Sequence, residues 1–327
     1  MKYFAIGRAY WRPYEKQACE KYFDETYHAD MSDVLIWRHN TENVTAQELK
    51  YCTDIEQSFN GIVINPMSSF NYTRDKQACF DTWSKNNISI PTSFEFTDKK
   101  DFYNKLNIDV PFLLRLNDRA TGECTYLVET STDIESNLDK LINDYNSKKN
   151  HSTKMICVEF IDTKINNKNI SFRIHVAGNK VISGYARLSN DWLALSPKFT
   201  IDMKVDFIEQ QKRLYNIINN NREQIINAVH VLGLHHQGVD VIAGPDDKIY
   251  FLEVQPFYFS GRPKGVPNPT NPPFFNPTKP PELIDWLITD KDNLSKEVPF
   301  YFENWLNKEN HFDLCYRELR EYADSRL

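Results

Sequence analysis

Short apolar runs alternate with polar, turn-rich segments along the whole chain. KYFAIG near the start and DVLIW at 33–37 have the length and composition of strands. TAQELKYCTDIEQ, from Thr45 to Gln57, reads as a helix, and GIVINP at 61–66 reads as a strand stopped by Pro66. Residues 73–86 have helical character, and Ser89–Phe96 follows as an extended piece. VPFLLRL at 110–116 and CTYLVET at 124–130 form a predicted hairpin around the polar loop NDRATGE. A polar helix is expected over 131–150. Three strand signals come next: MICVEFI at 155–161, NISFRIHVAG at 169–178 and KVISGYARLS at 180–189. Gly178–Asn179 between the last two is a tight-turn signal. Residues 205–234 carry apolar positions at helical spacing. GVDVIAG at 238–244 and KIYFLEVQ at 248–255 pair through a PDD turn, and a helical tail over 282–327 ends the sequence.

Composition adjusts this picture at one place. Nine of the sixteen prolines fall within residues 256–281. Proline fixes φ and lacks a backbone donor, so this stretch is neither regular helix nor central strand. Its interleaved Phe257, Tyr258, Phe259, Phe274 and Phe275 suggest an ordered loop near a site, with a flexible linker as the alternative. The 327 residues suggest two or three packed units at roughly 150 residues each. A hydrophobic share of 41% and a charged share of 26% are those of a globular chain. The net charge of −6, with Lys and Arg spread out, argues against nucleic acid as a main partner. No apolar stretch reaches the 18 residues of a membrane span, and the N-terminus lacks the length of a signal peptide. The six cysteines are scattered without a CxxC pair, which points to reduced thiols in a cytoplasmic protein.

Candidate chemistry centres on Asp240, Glu253 and Gln255. Glu253 and Gln255 are two apart on one strand and so face the same way. Asp240 on the paired strand can meet them across the ladder. Three oxygen-bearing side chains among Val, Ile, Leu and Phe cost desolvation unless something neutralises them. Magnesium with a bound phosphate would do so; the alternative is the solvated face of an edge hairpin. Before them, Glu159–Asp162 ends a strand and can offer backbone groups to an adenine edge, with Asp162 toward ribose hydroxyls. Arg173 and Arg187 flank the Gly-Asn turn, five and eight residues out, and guanidinium forks suit phosphate or acyl phosphate. His230, His235 and His236 form no HExxH pattern and read as helix-end residues. Neither a GxSxG elbow nor a Walker A sequence is present.

In this order the pieces resemble the ATP-grasp superfamily, in the branch with glutathione synthetase and the glutamate ligases that modify proteins. The segments that carry the resemblance are NPMSSFNYTRDKQACFDTWSKNNISIPTSF (65–94), PFLLRL (111–116), ICVEFID (156–162), SFRIHVAGNKVISGYARLS (171–189) and LGLHHQGVDVIAGPDDKIYFLEVQP (232–256). They cover roughly residues 60–256. The resemblance implies an α/β (α+β) fold in which two lobes clasp ATP: a small N-terminal α/β domain over 1–65, a first lobe over 66–150, a second lobe with the metal site over 151–260, and a proline-rich loop with C-terminal helices over 261–327. It implies that Lys76 and Arg115 approach ATP phosphates and that Glu159, Phe160, Ile161 and Asp162 form the adenine and ribose hinge. It also implies that Arg173 and Arg187 contact the γ-phosphate or the acyl substrate, and that Asp240, Glu253 and Gln255 hold magnesium.

Three positions depart from the family pattern. Gln255 replaces the usual Asn, and Arg115 replaces Lys. The phosphate-covering loop has only Gly122, so Arg119 and Thr121 are expected to serve there with their side chains. The reaction implied is a carboxylate–amine ligation: ATP phosphorylates a carboxylate, and an amine attacks the acyl phosphate. An ATP-grasp kinase, or a nucleotide-binding protein without turnover, is the alternative. The partners expected are a carboxylate substrate and an amine acceptor, and a homodimer is the family-level expectation.

Overall fold

The computed structural model describes residues 1–6, 13–38, 45–119, 122–150, 152–193, 201–256, 286–287 and 289–327. Three four-stranded sheets organise them. The first is parallel, in the order β2-β1-β3-β4, from β1 (Lys2–Ile6), β2 (Asp24–Glu25), β3 (Val34–Trp37) and β4 (Ile62–Ile64). Its crossovers are α1 (Pro13–Tyr22) and α2 (Ala46–Ser58). Thr45 caps α2 through a reciprocal capping box with Glu48, so the helix begins where side chains satisfy its first N–H groups.

The second sheet is antiparallel, in the order β5-β8-β6-β7: β5 (Ser93–Phe96), β6 (Phe112–Leu116), β7 (Thr125–Val128) and β8 (Met155–Glu159). Between β4 and β5 runs α3 (Lys76–Lys85), capped by Asp75, whose carboxylate accepts from the Gln77 and Ala78 N–H groups. A short helix not expected from the sequence, α4 (Lys99–Lys105), follows β5 under an Asp98 cap. It has less than two turns' worth of periodic signal, and it holds by burying Phe102 against Phe96 and Phe112. The polar helix after β7 is α5 (Ile134–Lys148), which buries Leu138 and Leu141.

The third sheet, β10-β9-β11-β12, is fully antiparallel: β9 (Asn169–Ala177), β10 (Lys180–Ser189), β11 (His236–Ala243) and β12 (Ile249–Pro256). Alternation decides its two faces. Ile170, Phe172, Ile174 and Val176 of β9 point into the largest core, which also holds Leu214, Ile217 and Ile218 of the long helix α6 (Lys204–His230). Ser171, Arg173 and His175 point the other way. Gly178 turns the chain between β9 and β10 at φ +53°, and a Cβ there would lie 2.6 Å from the Glu318 carbonyl oxygen. Only a residue without a side chain lets that turn meet its neighbour.

Helix α3 precedes the second sheet in sequence but packs on the third. Trp83 is fully buried, meets the Phe251 ring of β12 at a tilt of 51° with centres 5.7 Å apart, and donates from Nε1 to the Ala228 carbonyl of α6 at 2.7 Å. The end of the chain returns to its beginning. After α7 (Lys291–Glu297) and a single turn at Pro299–Tyr301, helix α8 (Lys308–Asp324) buries Phe312, Cys315, Tyr316 and Leu319 against Tyr3, Val34 and Ile36 of the first sheet. The proline-rich residues 257–285, with their five aromatics, lie outside the described residues, as do Thr121 and residues 194–200. Among the described residues no helix is long and apolar enough to cross a membrane. All six cysteines are buried, and none of them is in a disulfide.

One side chain joins the first sheet to the third. Asn65 sits at φ +58°, a conformation that Asn tolerates better than most residues. Its Oδ1 accepts from the His235 and His236 N–H groups at 2.9 and 3.0 Å, and its Nδ2 donates to the His236 carbonyl at 2.9 Å. Truncation orphans three buried backbone groups. Asn65→Ala is expected to lower the unfolding free energy by about 3 kcal/mol in urea denaturation. Asn65→Asp, which keeps the two acceptor bonds, is expected to lose less. Wild-type midpoints for both variants would show that this clamp carries no weight.

Candidate functional site

The polar face of the third sheet is a set of registered rows. Arg173 of β9 lies opposite Tyr185 of β10 and opposite Asp240 of β11, and Asp240 lies opposite Glu253 of β12. One row further on are His175, Ser183, Gly238 and Gln255. β11 is an inner strand, so Asp240 stands on the buried part of the sheet, at 6% exposure, and β12 is the edge. A register shift between Asp240 and Val241 adds one residue to β12 there.

Asp240 is the hub. Arg173 Nε and Nη2 donate to its two oxygens at 2.6 and 2.7 Å. Arg187 adds longer contacts from Nη1 and Nη2, at 3.2 and 3.3 Å. The two arginines are not opposite each other, since Arg187 pairs with Ser171, yet they converge on one carboxylate because that residue lies on the third strand. Burial pushes the Asp240 carboxyl up, but the two guanidiniums outweigh it and hold the group well below the usual carboxylate range.

Glu253 is held from α3. Lys76, at the start of α3, places Nζ 2.8 Å from Glu253 Oε2 and also donates to the Arg119 carbonyl at 2.9 Å. Gln255 Nε2 donates to Glu253 Oε1 at 2.8 Å. Burial raises the Glu253 carboxyl and the Asp240 charge adds to that, but Lys76 with Arg115 brings it below its ordinary value. Burial makes the Arg115 guanidinium easier to deprotonate than an ordinary one, with Glu253 opposing that effect. Among the described residues, the buried Arg115 Nε and Arg187 Nε donors find no hydrogen-bond partner.

A cleft of about 160 Å³ opens onto this network. Glu159, Phe160 and Ile161 line it together with Arg115, Arg187, Asp240 and Glu253. β8 ends at Glu159, whose side chain accepts from the Thr92 N–H at 2.9 Å and whose own N–H donates to the Thr92 carbonyl. Phe160 N–H donates to the Pro111 carbonyl at 3.3 Å. Asp162 is exposed, takes the Lys164 N–H at 3.0 Å and is not among the cleft-lining residues. The Arg119 guanidinium is turned away, donating to the Lys148 carbonyl at the end of α5, so the loop presents its carbonyl to Lys76 instead. Thr121 lies outside the described residues.

The structure also brings in residues with a weaker sequence signal. Trp192 and Leu193, just after β10, line the cleft. Gly122 of the opposite loop meets Leu193: at φ +77°, a Cβ would lie 2.3 Å from Leu193 Cδ2. The single glycine of that loop therefore stands where the loop after β6 meets the segment after β10. Nothing periodic marks Trp192–Leu193 in the sequence. Tyr185 did carry a signal, since it is two residues from Arg187 and must share its face.

A model of the RimK-like ATP-grasp domain matches residues 73–257, more than half of the chain, and the chain belongs to that family. Coenzyme gamma-F420-2:alpha-L-glutamate ligase of Methanocaldococcus jannaschii is 25% identical over 172 residues, 52% of this chain and 57% of that protein. The match thus spans little more than half the length of that curated relative. Among solved structures, the N5-carboxyaminoimidazole synthetase of Staphylococcus aureus, complexed with ADP, is similar at a TM-score of 0.51 and 11% identity, over 79% of this chain and 71% of that one. The likeness supports the ATP-grasp fold.

The Asp240 network has a pH signature. Its folded pKa lies below its unfolded one, so the stabilisation is whole above the unfolded carboxyl value of about 3.9 and fades as pH falls below it. Asp240→Asn is expected to cost about 3 kcal/mol near neutrality. That gap should stay level down to about pH 5 and narrow below about pH 4 in urea unfolding. A gap that is missing at neutral pH would show that the buried pairs contribute no net stability.

Proposed function

We propose that this protein is an ATP-dependent carboxylate–amine ligase. The observation that carries the reading is the opposed pair Asp240 and Glu253, ringed by Lys76, Arg115, Arg173 and Arg187, on a cleft that the Glu159–Ile161 segment also lines. Four cations around two carboxylates leave an excess of positive charge in a buried place. A polyphosphate supplies what that place lacks, and the Arg115 and Arg187 Nε donors, without a partner among the described residues, fit the same kind of ligand.

Magnesium fits the donor set. Asp240, Glu253 and the Gln255 amide offer hard oxygens on one sheet face. Among the described residues no group of three or more His, Cys, Asp or Glu comes together; magnesium commonly takes one or two carboxylates and completes its shell with phosphate oxygens and water. Bound there, the ion would neutralise charge on the transferring phosphoryl group.

The chain's own residues do the rest by positioning. Asp240 and Glu253 hold their cations in place beforehand, and Lys76, Arg173 and Arg187 would turn from these carboxylates to the oxygens of a bound polyphosphate. Phe160 N–H is taken by Pro111, so an adenine edge would meet the Phe160 carbonyl and the Ile161 backbone. The buried rows exclude water, which protects an activated acyl group from hydrolysis. A carboxylate activated as its acyl phosphate would then be attacked by an amine, with ADP and phosphate released.

The test is ADP and phosphate release with ATP, magnesium and pools of carboxylates and amines. Phosphate is expected only when both a carboxylate and an amine are present. Glu253→Ala is expected to lower turnover about 100-fold or more. ADP formed without any amine, alongside a stable phosphorylated product, would instead make the protein a kinase.

A further inference from the structure

The matched family domain ends at residue 257, yet the chain beyond it reaches the polar face of the third sheet. One turn makes the contact. Phe302–Leu306 is π-helical, a geometry uncommon in soluble proteins and often found at functional sites. It is locked to β10, where Asn304 Nδ2 donates to the Ile182 carbonyl at 3.0 Å. Ile182 is the residue at which the β9–β10 register slips, between Val181 and Ser183. A bulge leaves a residue outside the ladder, so its carbonyl is available to the turn. The Asn304 carbonyl, in its turn, lies 2.8 Å from His311 Nδ1 of α8.

Trp305 is thereby laid flat on the sheet. Its ring stacks on His175 at 4.4 Å and 24°, and on Tyr185 at 4.8 Å and 18°. Lys308 Nζ is 3.1 Å from the Trp305 ring centre. Tyr185 carries the contact onward: the Arg187 guanidinium sits 5.3 Å from its ring centre, and Arg187 Nη2 lies 3.4 Å from its hydroxyl. Trp305 itself is not among the residues that line the cleft.

The two guanidiniums on Asp240 are not held alike. Arg173 makes two short bonds, whereas Arg187 makes two long ones and keeps a buried Nε without a hydrogen-bond partner among the described residues. Arg187 is the one whose carboxylate contacts are easier to exchange. A guanidinium that leaves a carboxylate for another anion needs its plane held by something else. An aromatic face does that, provided the ring cannot move. Trp305 immobilises that ring.

We infer that Trp305 is a positioning residue for Arg187, and that through the Trp305–Tyr185 stack the C-terminal segment sets the grip on the terminal phosphate and so the preference for a nucleoside triphosphate over a diphosphate. The inference rests on the nucleotide site proposed above. The experiment is calorimetric titration of the full chain with ATP and with ADP, magnesium present. The wild type is expected to bind ATP more tightly than ADP. Trp305→Ala should weaken ATP about tenfold, the order expected for loss of a cation–π arrangement, with ADP changed less than about twofold. Trp305→Phe, which keeps a ring, should restore most of the difference. Arg187→Ala should give the same ATP-to-ADP ratio as Trp305→Ala, and the double variant should lose no more. Tyr185→Leu removes the ring beneath Arg187 and must reproduce the shift; it decides the matter alone should Trp305→Ala not fold. An unmoved ratio, or parallel loss of ATP and ADP, in a protein whose wild type binds nucleotide overturns the role of Trp305. A wild type that binds neither nucleotide overturns the site reading itself, and the inference with it.

Discussion

The carboxylate of Asp240, buried on an inner strand with two guanidiniums on it, is the constraint around which the third sheet is built. Ionised groups in such a place are tolerable only when paired with good geometry. Arg173 supplies a close fork from the neighbouring strand, and Arg187 reaches in from one strand further. Glu253 directly opposite adds a second negative charge, which alone would be repulsive. It is made tenable by Lys76 from α3 and by Arg115 from β6. These cations come from different elements, so one charge network cross-links four strands to α3 and to the second sheet. In the proposed function, the pairs that keep the site compact are those that a polyphosphate with its metal would exchange.

Closure of the chain is a second consequence of packing. The first sheet is small and buries one face only when α8 covers it, with Phe312, Tyr316 and Leu319 in the same core as Tyr3 and Val34. The core continues into the third sheet through Ala177 and Ile182. Asn65 reinforces that junction at the level of the backbone. Because α8 must lie here, the turn that precedes it is carried onto β10, and Trp305 arrives beside Tyr185. A segment outside the family domain is therefore mechanically continuous with the strand that bears Arg187.

Much of this is legible residue by residue. NISFRIHVAG and KVISGYARLS contain β9 and β10, and their Gly-Asn junction is the turn. TAQELKYCTDIEQ contains nearly all of α2 together with the cap that starts it. The pleat alone places Glu253 and Gln255 on one face, and the hairpin register sets Asp240 opposite Glu253. Less is legible where the determining contact is distant. α4 has too short a period to announce itself and depends on Phe96 and Phe112. The Arg119 side chain sits in a loop expected over phosphate, but the end of α5 offers it a carbonyl and it turns there. α3 precedes the second sheet in order yet contributes Phe80 and Trp83 to the core of the third.

The sequence by itself determined most of the elements and the alternation of each strand, because local periodicity sets these over a few residues, and its order of motifs carried the resemblance to the family. Only the tertiary structure decided that Arg173 and Arg187 share one carboxylate, that Lys76 crosses to Glu253, and that Trp305 lies on Tyr185. Each is a contact between elements far apart in sequence. Its partner is chosen by which faces must be buried together and by where a buried charge can find its counter-charge, and neither condition exists until the sheets are assembled.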